Sequence, residues 1–599
     1  MQRWGLDSEF MQSGRLNEPA DVHSIQISDG TPENTFFFDS ADKFKQWLNG
    51  HHSICDLYGF VALPDLASVS VWLPPKAVKI SMRGCQTYGK IKYGGFEAKM
   101  WDTRPLLVSL GIRKLAQAGE IVGFPKLEKP AYLGLRAPNC DAERLAFIDY
   151  ANSDAIITSL ITQWLWENFK ADPKKHTSAG TLAKEAFQLP KRLERFGRDV
   201  FVPPLERVAR NCCYAGRSEG FWTGYIPNTL YNDVKSLYPT DLALTHALDI
   251  TGMRQCDIKL AERWLDHKQP INAFLDNVLE SKPFGWVDGC FEVDNDLWGL
   301  PMRGNNVFYC QGKITGTWHS LDLVAAKAKP LYINHAWEPI FQPSWQHEKY
   351  VKMLMERLDG KISKVDSMYG KAILNALSGK LGQSHPIGAT SNFFAYGTCL
   401  AGSHLIMSRL FDKCVGLGGK VYAMDTDSAF SDIDMAGHHW DLSDGEFNVP
   451  VVMDVKGKGA LSFFRAKTYI MHDDGEADGK ETVFGRHGWQ YFVEDFLRCR
   501  LGGIDSLQTR KDIKHTLFTQ QKKAKAMEIG RWLTEPVTLD RQKLCQLLRA
   551  DPKRQRESRD SYTLVSEKKN QPSTSWTYEE LLAQNDVSGL VFPKMMDNA

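Results

Sequence analysis

Val421-Tyr422-Ala423-Met424-Asp425-Thr426-Asp427-Ser428-Ala429-Phe430 puts two carboxylates in a short turn between two apolar, strand-forming segments. Far upstream, Tyr231-Asn232-Asp233-Val234-Lys235-Ser236-Leu237-Tyr238-Pro239 sets a third carboxylate, Asp233, among strand residues that a proline closes. Buried like charges repel and raise one another's pKa, so such a cluster is costly unless cations neutralise it. A pair of divalent metal ions about 3.5 to 4 Å apart is the natural reason to keep it, because the pair activates an attacking oxygen and stabilises a leaving one in phosphoryl transfer. Taken alone, an Asp-x-Asp is more often a turn or helix-cap signal. A third element is needed.

That element lies between them, in Lys371-Ala372-Ile373-Leu374-Asn375-Ala376-Leu377-Ser378-Gly379-Lys380. On a helix Lys371 and Asn375 stand at i and i+4 on one face, with Gly379 a further turn on and Lys364 two turns before. The face is cationic, then polar, then bare: suited to hold a triphosphate at Lys371, order it through Asn375, and let a base pair approach at Gly379. Without that context it is an ordinary amphipathic helix with solvated lysines.

The first half of the chain carries a separate acidic pattern. In Leu6-Asp7-Ser8-Glu9-Phe10, read as a strand, positions i and i+2 project from one face and bring Asp7 and Glu9 together. Tyr150 and Asp154 lie one turn apart on an amphipathic run, Ala142 to Phe169, that is predicted to be helical.

In order along the chain, Asp233-x-x-Ser236-Leu237-Tyr238-Pro239, Lys371-x-x-x-Asn375 with Gly379, and Asp425-Thr426-Asp427-Ser428 resemble motifs A, B and C of the family B DNA polymerases. Lys467-Thr468-Tyr469 resembles the family's Lys-x-Tyr element, and Tyr214-Ala215-Gly216-Arg217 its linker motif, with Arg217 where a small residue is usual. The resemblance implies that Asp233, Asp427 and the carbonyl of Val234 bind metal, with Asp425 beside them. Tyr238 would be the steric gate under the sugar; Lys371, Asn375, Lys364, Ser236 and Leu237 would meet the incoming dNTP. Lys467, Tyr469, Tyr214, Gly216, Arg217, Gly379 and Thr426 would meet the DNA or primer. Ser378 stands where many relatives have a tyrosine, and Ala423 where an aromatic often precedes the acidic turn.

The N-terminal pattern resembles the DnaQ-like 3′ to 5′ exonucleases, whose fold is ribonuclease-H-like and which precede the polymerase in this family. It implies a second metal site built from Asp7, Glu9 and Asp154, with Tyr150 orienting the attacking water. The intermediate carboxylate has two candidates. Asp56 fits the family's Asn-x-x-x-Asp with His52 in the place of the DNA-contacting Asn; Asp102, in Trp101-Asp102-Thr103, is the other.

The expected fold class is therefore multidomain α/β: a ribonuclease-H-like exonuclease domain (1–172), a linker and first palm segment (173–244), an insertion subdomain similar to a terminal-protein region (245–345), fingers (346–395), a second palm segment (396–488), and a helical thumb and tail (489–599). The expected cofactor is Mg²⁺, two ions per site, with Mn²⁺ as an alternative. The expected partners are primer-template DNA and dNTPs, and either a nucleic-acid primer or a terminal protein with other phage replication factors. The resemblance begins almost at residue 1, as in small phage and plasmid replicases, and the interval between Lys380 and Val421 is short for a second insertion.

Composition agrees with a globular enzyme. The chain has 599 residues, 43% hydrophobic and 24% charged, and no run approaches the about 18 apolar residues of a membrane span. An acidic residue, Asp7, precedes any apolar stretch, so a cytoplasmic protein of the host cell is expected rather than a secreted one. The 12 cysteines show no CxxC spacing and are expected to be packed thiols. The net charge of +1 hides a tail, residues 498–569, in which basic residues outnumber acidic ones roughly two to one, a footprint suited to phosphate backbone. Competing readings are a non-catalytic DNA-binding replication subunit, an exonuclease-dominant repair enzyme, and a reverse transcriptase. The intact carboxylates oppose the first, the long downstream region the second, and Lys371-x-x-x-Asn375 with the N-terminal unit the third.

Overall fold

The structure, a computed structural model, describes residues 3–11, 21–83, 86–133, 138–190, 195–196, 199–200, 204–266, 278–303, 307–360, 363–384, 388, 390–436, 449–465 and 468–472, and beyond these a few short segments up to residue 580. It divides into two units. The first holds Met1–Ala186 with Lys364–Ile373, and the second most of the remainder. Among the described residues no helix is long and apolar enough to cross a membrane, and the described cysteines are free thiols.

The first unit is built on seven strands: β1 (Trp4–Met11), β2 (Asp21–Ser28), β3 (Thr35–Phe38), β4 (Asp56–Gly59), β5 (Val78–Arg83), β6 (Gln86–Tyr93) and β7 (Phe96–Asp102). They lie in the order β3-β2-β1-β4-β7-β6-β5. β1 to β3 are antiparallel neighbours, and β1–β4 and β4–β7 are parallel. The parallel pairs need crossovers, and a helix at Ala41–Gly50 precedes β4 while α1 (Ala62–Trp72) follows it; α2 (Asp141–Phe169) comes after the last strand and packs on β1 and β2. Leu6, Ile25, Ile27, Phe44, Leu57, Leu66 and Met100 form the core. Gly5 decides how closely α2 can approach: a Cβ there would sit 2.3 Å from the carbonyl oxygen of Ala155 and 2.7 Å from the amide of Ser159. With period-2 alternation, Asp7 and Glu9 share the face of Gly5 and look toward that helix.

The second unit begins at Phe187 and first forms a short antiparallel pair, β8 (Arg195–Phe196) and β9 (Asp199–Val200). Its main sheet takes β10 (Ser218–Gly220) and the long β11 (Trp222–Val234), which leads into α3 (Leu237–Leu244). Residues 250–341 then form a separate sheet from β12 (Ile250–Gln255), β13 (Trp286–Val293), β16 (Gly312–His319) and β17 (Lys329–Phe341), in the order β12-β17-β13-β16, with a hairpin of β14 (Leu300–Arg303) and β15 (Val307–Cys310). Chain entry and exit are neighbours in this sheet, since β12 pairs β17 from Ile250↔Phe341 onward. Three helices follow: α4 (Trp345–Leu358), α5 (Lys364–Leu381) and α6 (Phe393–Gly416). The chain returns to the main sheet as β18 (Val421–Asp425), β19 (Ser428–Ser431), β20 (Met453–Arg465), β21 (Thr468–His472) and β22 (Thr482–Gly485). Its order is β10-β18-β19-β11-β20-β21-β22.

The helical pair expected after residue 345 and the strand, acidic turn, strand around Asp425 are both found. The last segment, expected to be helical, is described only in small part. Its described parts are mainly strands, Trp489–Tyr491, Ser506–Lys511 and Glu535–Asp540, which share one sheet, and nearly all of the basic tail lies outside the described residues.

Candidate active sites

In the first unit, ligand atoms of Asp7, Glu9 and Asp154 all lie within 4.8 Å of one another. Burial, then the charges of Asp65, Asp154 and Glu9, push the Asp7 carboxyl well above its usual range, and Lys126 pulls it back. Burial and the charge of Asp154 push Glu9 up to about 7. Burial also raises Asp154, against the neighbouring Lys126. The Nζ of Lys126 donates to the Asp154 carboxylate, and to the hydroxyl of Tyr150 at 3.3 Å, 4.7 Å above the Tyr150 ring. A lysine ammonium thus sits against these acids.

Two residues here escaped the sequence pattern. Asp65, on α1, is fully buried; burial raises its carboxyl, with Asp102 and Glu9 adding to the effect. It accepts from the Ser8 hydroxyl at 2.9 Å, and of the charges acting on Asp7 its own is the largest. Its one sequence signal is an acid inside the apolar run Phe60-Val61-Ala62-Leu63-Pro64-Asp65. Lys126 stands in an irregular segment with no signal at all. Asp56, by contrast, is not brought to the cluster: its carboxylate pairs with Lys174 and accepts from Trp101 Nε1 at 3.0 Å. Asp102 caps the next helix through the amide of Arg104 at 3.0 Å, and burial pushes it up to about 7. His52 is exposed beside the turn at Gly95, with its Cε1 3.1 Å from where a Cβ would stand, and is not part of the cluster.

In the second unit the sheet register brings the acidic motifs together. Asp233 on β11 pairs with Ser428 on β19, and the amide of Val234 donates to the carbonyl of Asp427 at 2.8 Å. The turn between β18 and β19 places Thr426 at φ 67°, a left-handed conformation uncommon outside glycine, while its amide donates to the Arg217 carbonyl at 2.7 Å. Asp425 accepts from the Tyr469 hydroxyl at 3.1 Å, and Lys456 lies 3.6 Å from Asp233 and 3.1 Å from Asp454. Burial and Tyr231, then the charges of Asp427 and Asp233, raise the Tyr469 hydroxyl. Unlike the first site, Asp233, Asp425 and Asp427 do not form a set with every ligand atom within 4.8 Å.

Gly216 supports the turn from beneath. A Cβ there would lie 2.5 Å from Thr426 Cγ2 and 2.5 Å from the Tyr238 hydroxyl. Tyr238 is the second residue of α3, after the buried Leu237, and burial raises its hydroxyl, with Cys399, Tyr396 and Asp427 adding to this. Ser236, at φ 57°, precedes the helix and its hydroxyl accepts from Arg357. Tyr214 is buried against Arg303. Arg217 is a correction: its guanidinium is buried, ion-paired with Glu219, donating to the Leu297 carbonyl, and stacked over Tyr309 at 4.2 Å and Trp298 at 4.9 Å. It holds the β14–β15 region inward and has no surface to offer DNA.

On α5 the face expected from spacing is present: Lys371, Asn375 and Gly379 are exposed, with no atom within 4 Å of where a Gly379 Cβ would stand. Ile373, Leu374, Leu377 and Leu381 are buried, as is Ser378, whose hydroxyl donates back to the Asn375 carbonyl at 3.0 Å. Lys467 and the side chain of Lys364 lie outside the described residues.

The same architecture is found in solved structures. Phi29 DNA polymerase complexed with primer-template DNA and incoming nucleotide substrates aligns with a TM-score of 0.55 at 14% identity, over 80% of this chain and 91% of that one. The chain shares its fold with phi29 DNA polymerase. A second form of that enzyme, complexed with single-stranded DNA, gives 0.53 at 13% identity over 81% and 92%. No protein-family model matches the sequence, and no curated protein does. The fold is thus shared at a sequence identity of only 13 to 14%.

Proposed function

We propose that the chain is a DNA-directed DNA polymerase with a 3′ to 5′ proofreading exonuclease, replicating a phage or plasmid genome from primer-template DNA and dNTPs. The observation that carries this is the β11–β19 register, which sets Asp233 beside the Asp425–Asp427 turn, within a fold shared with phi29 DNA polymerase. The β3-β2-β1-β4-β7 order of the first unit, antiparallel and then parallel, supports the ribonuclease-H-like exonuclease assignment. On this basis the second unit's main sheet is the palm, α5 belongs to the fingers, and residues 489–599 are the thumb and tail.

The donor chemistry fits divalent cations, since carboxylates packed this closely carry strongly raised pKa values without one. Mg²⁺, or Mn²⁺ in its place, supplies an activated oxygen and stabilisation of the leaving oxygen when two ions are bound at each site. Asp7, Glu9, Asp154 and Asp65 would hold metal in the first site, and Asp233, Asp427 and the Val234 carbonyl in the second, with Asp425 alongside. Tyr150, held by Lys126, orients the water that attacks the terminal phosphodiester. Tyr238 closes the sugar pocket from beneath, Lys371 and Asn375 bind the triphosphate, and Tyr469, anchored on Asp425, lies at the primer strand.

The test is extension of a labelled primer on a DNA template with Mg²⁺, with and without dNTPs. Asp427→Ala should abolish templated extension and leave dNTP-free degradation, and Asp7→Ala with Glu9→Ala should do the reverse. A folded, DNA-binding wild type that extends no primer would refute the polymerase assignment.

A further inference from the structure

Away from both acidic sites, ligand atoms of His246, Asp249 and His347 all lie within 4.8 Å of one another. His246 precedes a single 3-10 turn after α3, Asp249 ends that turn, and His347 stands in the first turn of α4. The two segments are clamped together by the β12–β17 pair, which starts at Ile250 and ends at Phe341, and by the Gln342 amide donating to the Asp249 carbonyl at 2.8 Å. We propose that His246, Asp249 and His347 form a binding site for a zinc-class transition metal ion.

The donors fit that chemistry. Two imidazole nitrogens and one carboxylate oxygen are a set for borderline ions such as Zn²⁺, whereas Mg²⁺ and Ca²⁺ take oxygen ligands. His246 Nδ1 and Asp249 Oδ2 stand 3.1 Å apart, near the edge length of a tetrahedron with bonds of about 2.0 to 2.1 Å. The rings of His246 and His347 are stacked, with centroids 4.0 Å apart and planes at 26°, so one imidazole turns for both in-plane lone pairs to meet a single ion. His347 is 6% exposed, and its Nδ1 is enclosed without a hydrogen-bond partner among the described residues. The other carboxylate oxygen of Asp249 accepts from the Ser344 hydroxyl at 2.7 Å, the kind of outer contact that orients a metal ligand. His246 reaches the site from φ 49°, a strained backbone for a residue with a side chain, and such strain gathers where a side chain must be aimed. Three protein ligands leave a fourth position for water, on the side where His246 is partly exposed.

The site sits where a metal would fasten two helices. α4 packs against α3; at their other end Arg357 of α4 donates to Ser236 at the start of α3. An ion at His246, Asp249 and His347 fixes the second end, and with it the helix that carries Tyr238.

The test uses chelator-stripped full-length protein in millimolar Mg²⁺, which occupies the carboxylate sites, titrated with Zn²⁺ against a fluorescent zinc chelator. Wild type and Asp7→Ala/Glu9→Ala should each bind one Zn²⁺ per chain, and zinc should raise the thermal midpoint of both. Asp249→Asn, which preserves shape, and His347→Ala should each bind at least about tenfold more weakly, and Ser344→Ala about 10-fold more weakly. Zinc affinity unchanged in Asp249→Asn, or lost in Asp7→Ala/Glu9→Ala, would overturn the assignment whatever the folding of His347→Ala.

Discussion

Gly216→Ala is the smallest change that tests whether the acidic turn and the sugar pocket are one mechanical unit. The added Cβ falls 2.5 Å from Thr426 Cγ2 on one side and 2.5 Å from the Tyr238 hydroxyl on the other. Ordinary contact begins near 3.4 Å, so each of the two neighbours must retreat by almost an ångström. Neither retreats freely. Thr426 is fixed by its amide bond to the Arg217 carbonyl at 2.7 Å, and Tyr238 is nearly buried at the start of α3, where its hydroxyl accepts from the Gly216 amide. Overpacking of this kind costs about 1 to 3 kcal/mol of stability, and a displacement of this size at a reacting centre costs roughly 10²-fold in rate. The expected result is a folded protein with single-nucleotide incorporation reduced about 10²-fold and dNTP-free degradation of single-stranded DNA unchanged, because the first unit is untouched. Incorporation at the wild-type rate, with wild-type discrimination against ribonucleotides, would show that the glycine is not needed to seat the turn and the tyrosine.

Three further outcomes follow from the geometry. Asp65→Asn should reduce exonuclease turnover by at least about 10²-fold, whereas Asp56→Asn, which only releases Lys174 and Trp101, should leave it within a few fold; the reverse ranking in a degradation assay would restore Asp56 to the site. Arg217→Ala leaves Glu219 buried without its cation and should cost about 3 to 5 kcal/mol in urea denaturation, while Arg217→Met with Glu219→Gln should recover most of it; a cost below about 1 kcal/mol would mean the pair is not the anchor inferred here. Asp241 is fully buried, with neither carboxylate oxygen hydrogen-bonded among the described residues, and burial raises its carboxyl well above the usual range. Because the folded form holds its proton more tightly than the unfolded one, this group's cost is absent below about pH 4 and grows as pH rises; Asp241→Asn should therefore flatten the fall in urea midpoint between pH 5 and pH 8, and an unchanged slope would contradict the burial argument.

What was legible in the sequence, and what was not, follows from which interactions are local. The face of α5 is local: Lys371, Asn375 and Gly379 are spaced by the helix itself, and the structure leaves all three exposed while Ile373, Leu374 and Leu377 are buried. Strand alternation likewise sets Asp7 and Glu9 on one face without help from the rest of the chain. Asp65 was missed because its place depends on where the crossover after β4 ends, and Asp56, nearer the expected spacing, is used instead to bind Lys174 from a distant turn. Arg217 misled for a similar reason. An arginine next to a glycine in a linker looks like a phosphate contact, but here Glu219 two residues on, with Trp298 and Tyr309 from the inserted hairpin, provides an internal partner that no local pattern reveals.

The two acidic sites answer the same electrostatic problem in different ways, and the difference bears on how metal would enter. In the first unit a lysine ammonium already sits on Asp154, yet burial still pushes Glu9 up to about 7, so one cation is not enough for the charge gathered there. In the second unit the acids are held apart: Lys456 lies between Asp233 and Asp454, and the Tyr469 hydroxyl occupies an oxygen of Asp425. The acids of the first site thus share the charge of Lys126, whereas in the second Lys456 stands where it would compete with a cation for Asp233. On the proposed function Lys456 and metal compete for Asp233, and Lys456→Met should tighten Mn²⁺ binding at the second site, measured in protein that carries Asp7→Ala, Glu9→Ala and Asp249→Asn so that only the second site reports. Weaker binding in that variant would mean that Lys456 organises Asp233 for the metal instead of competing with it.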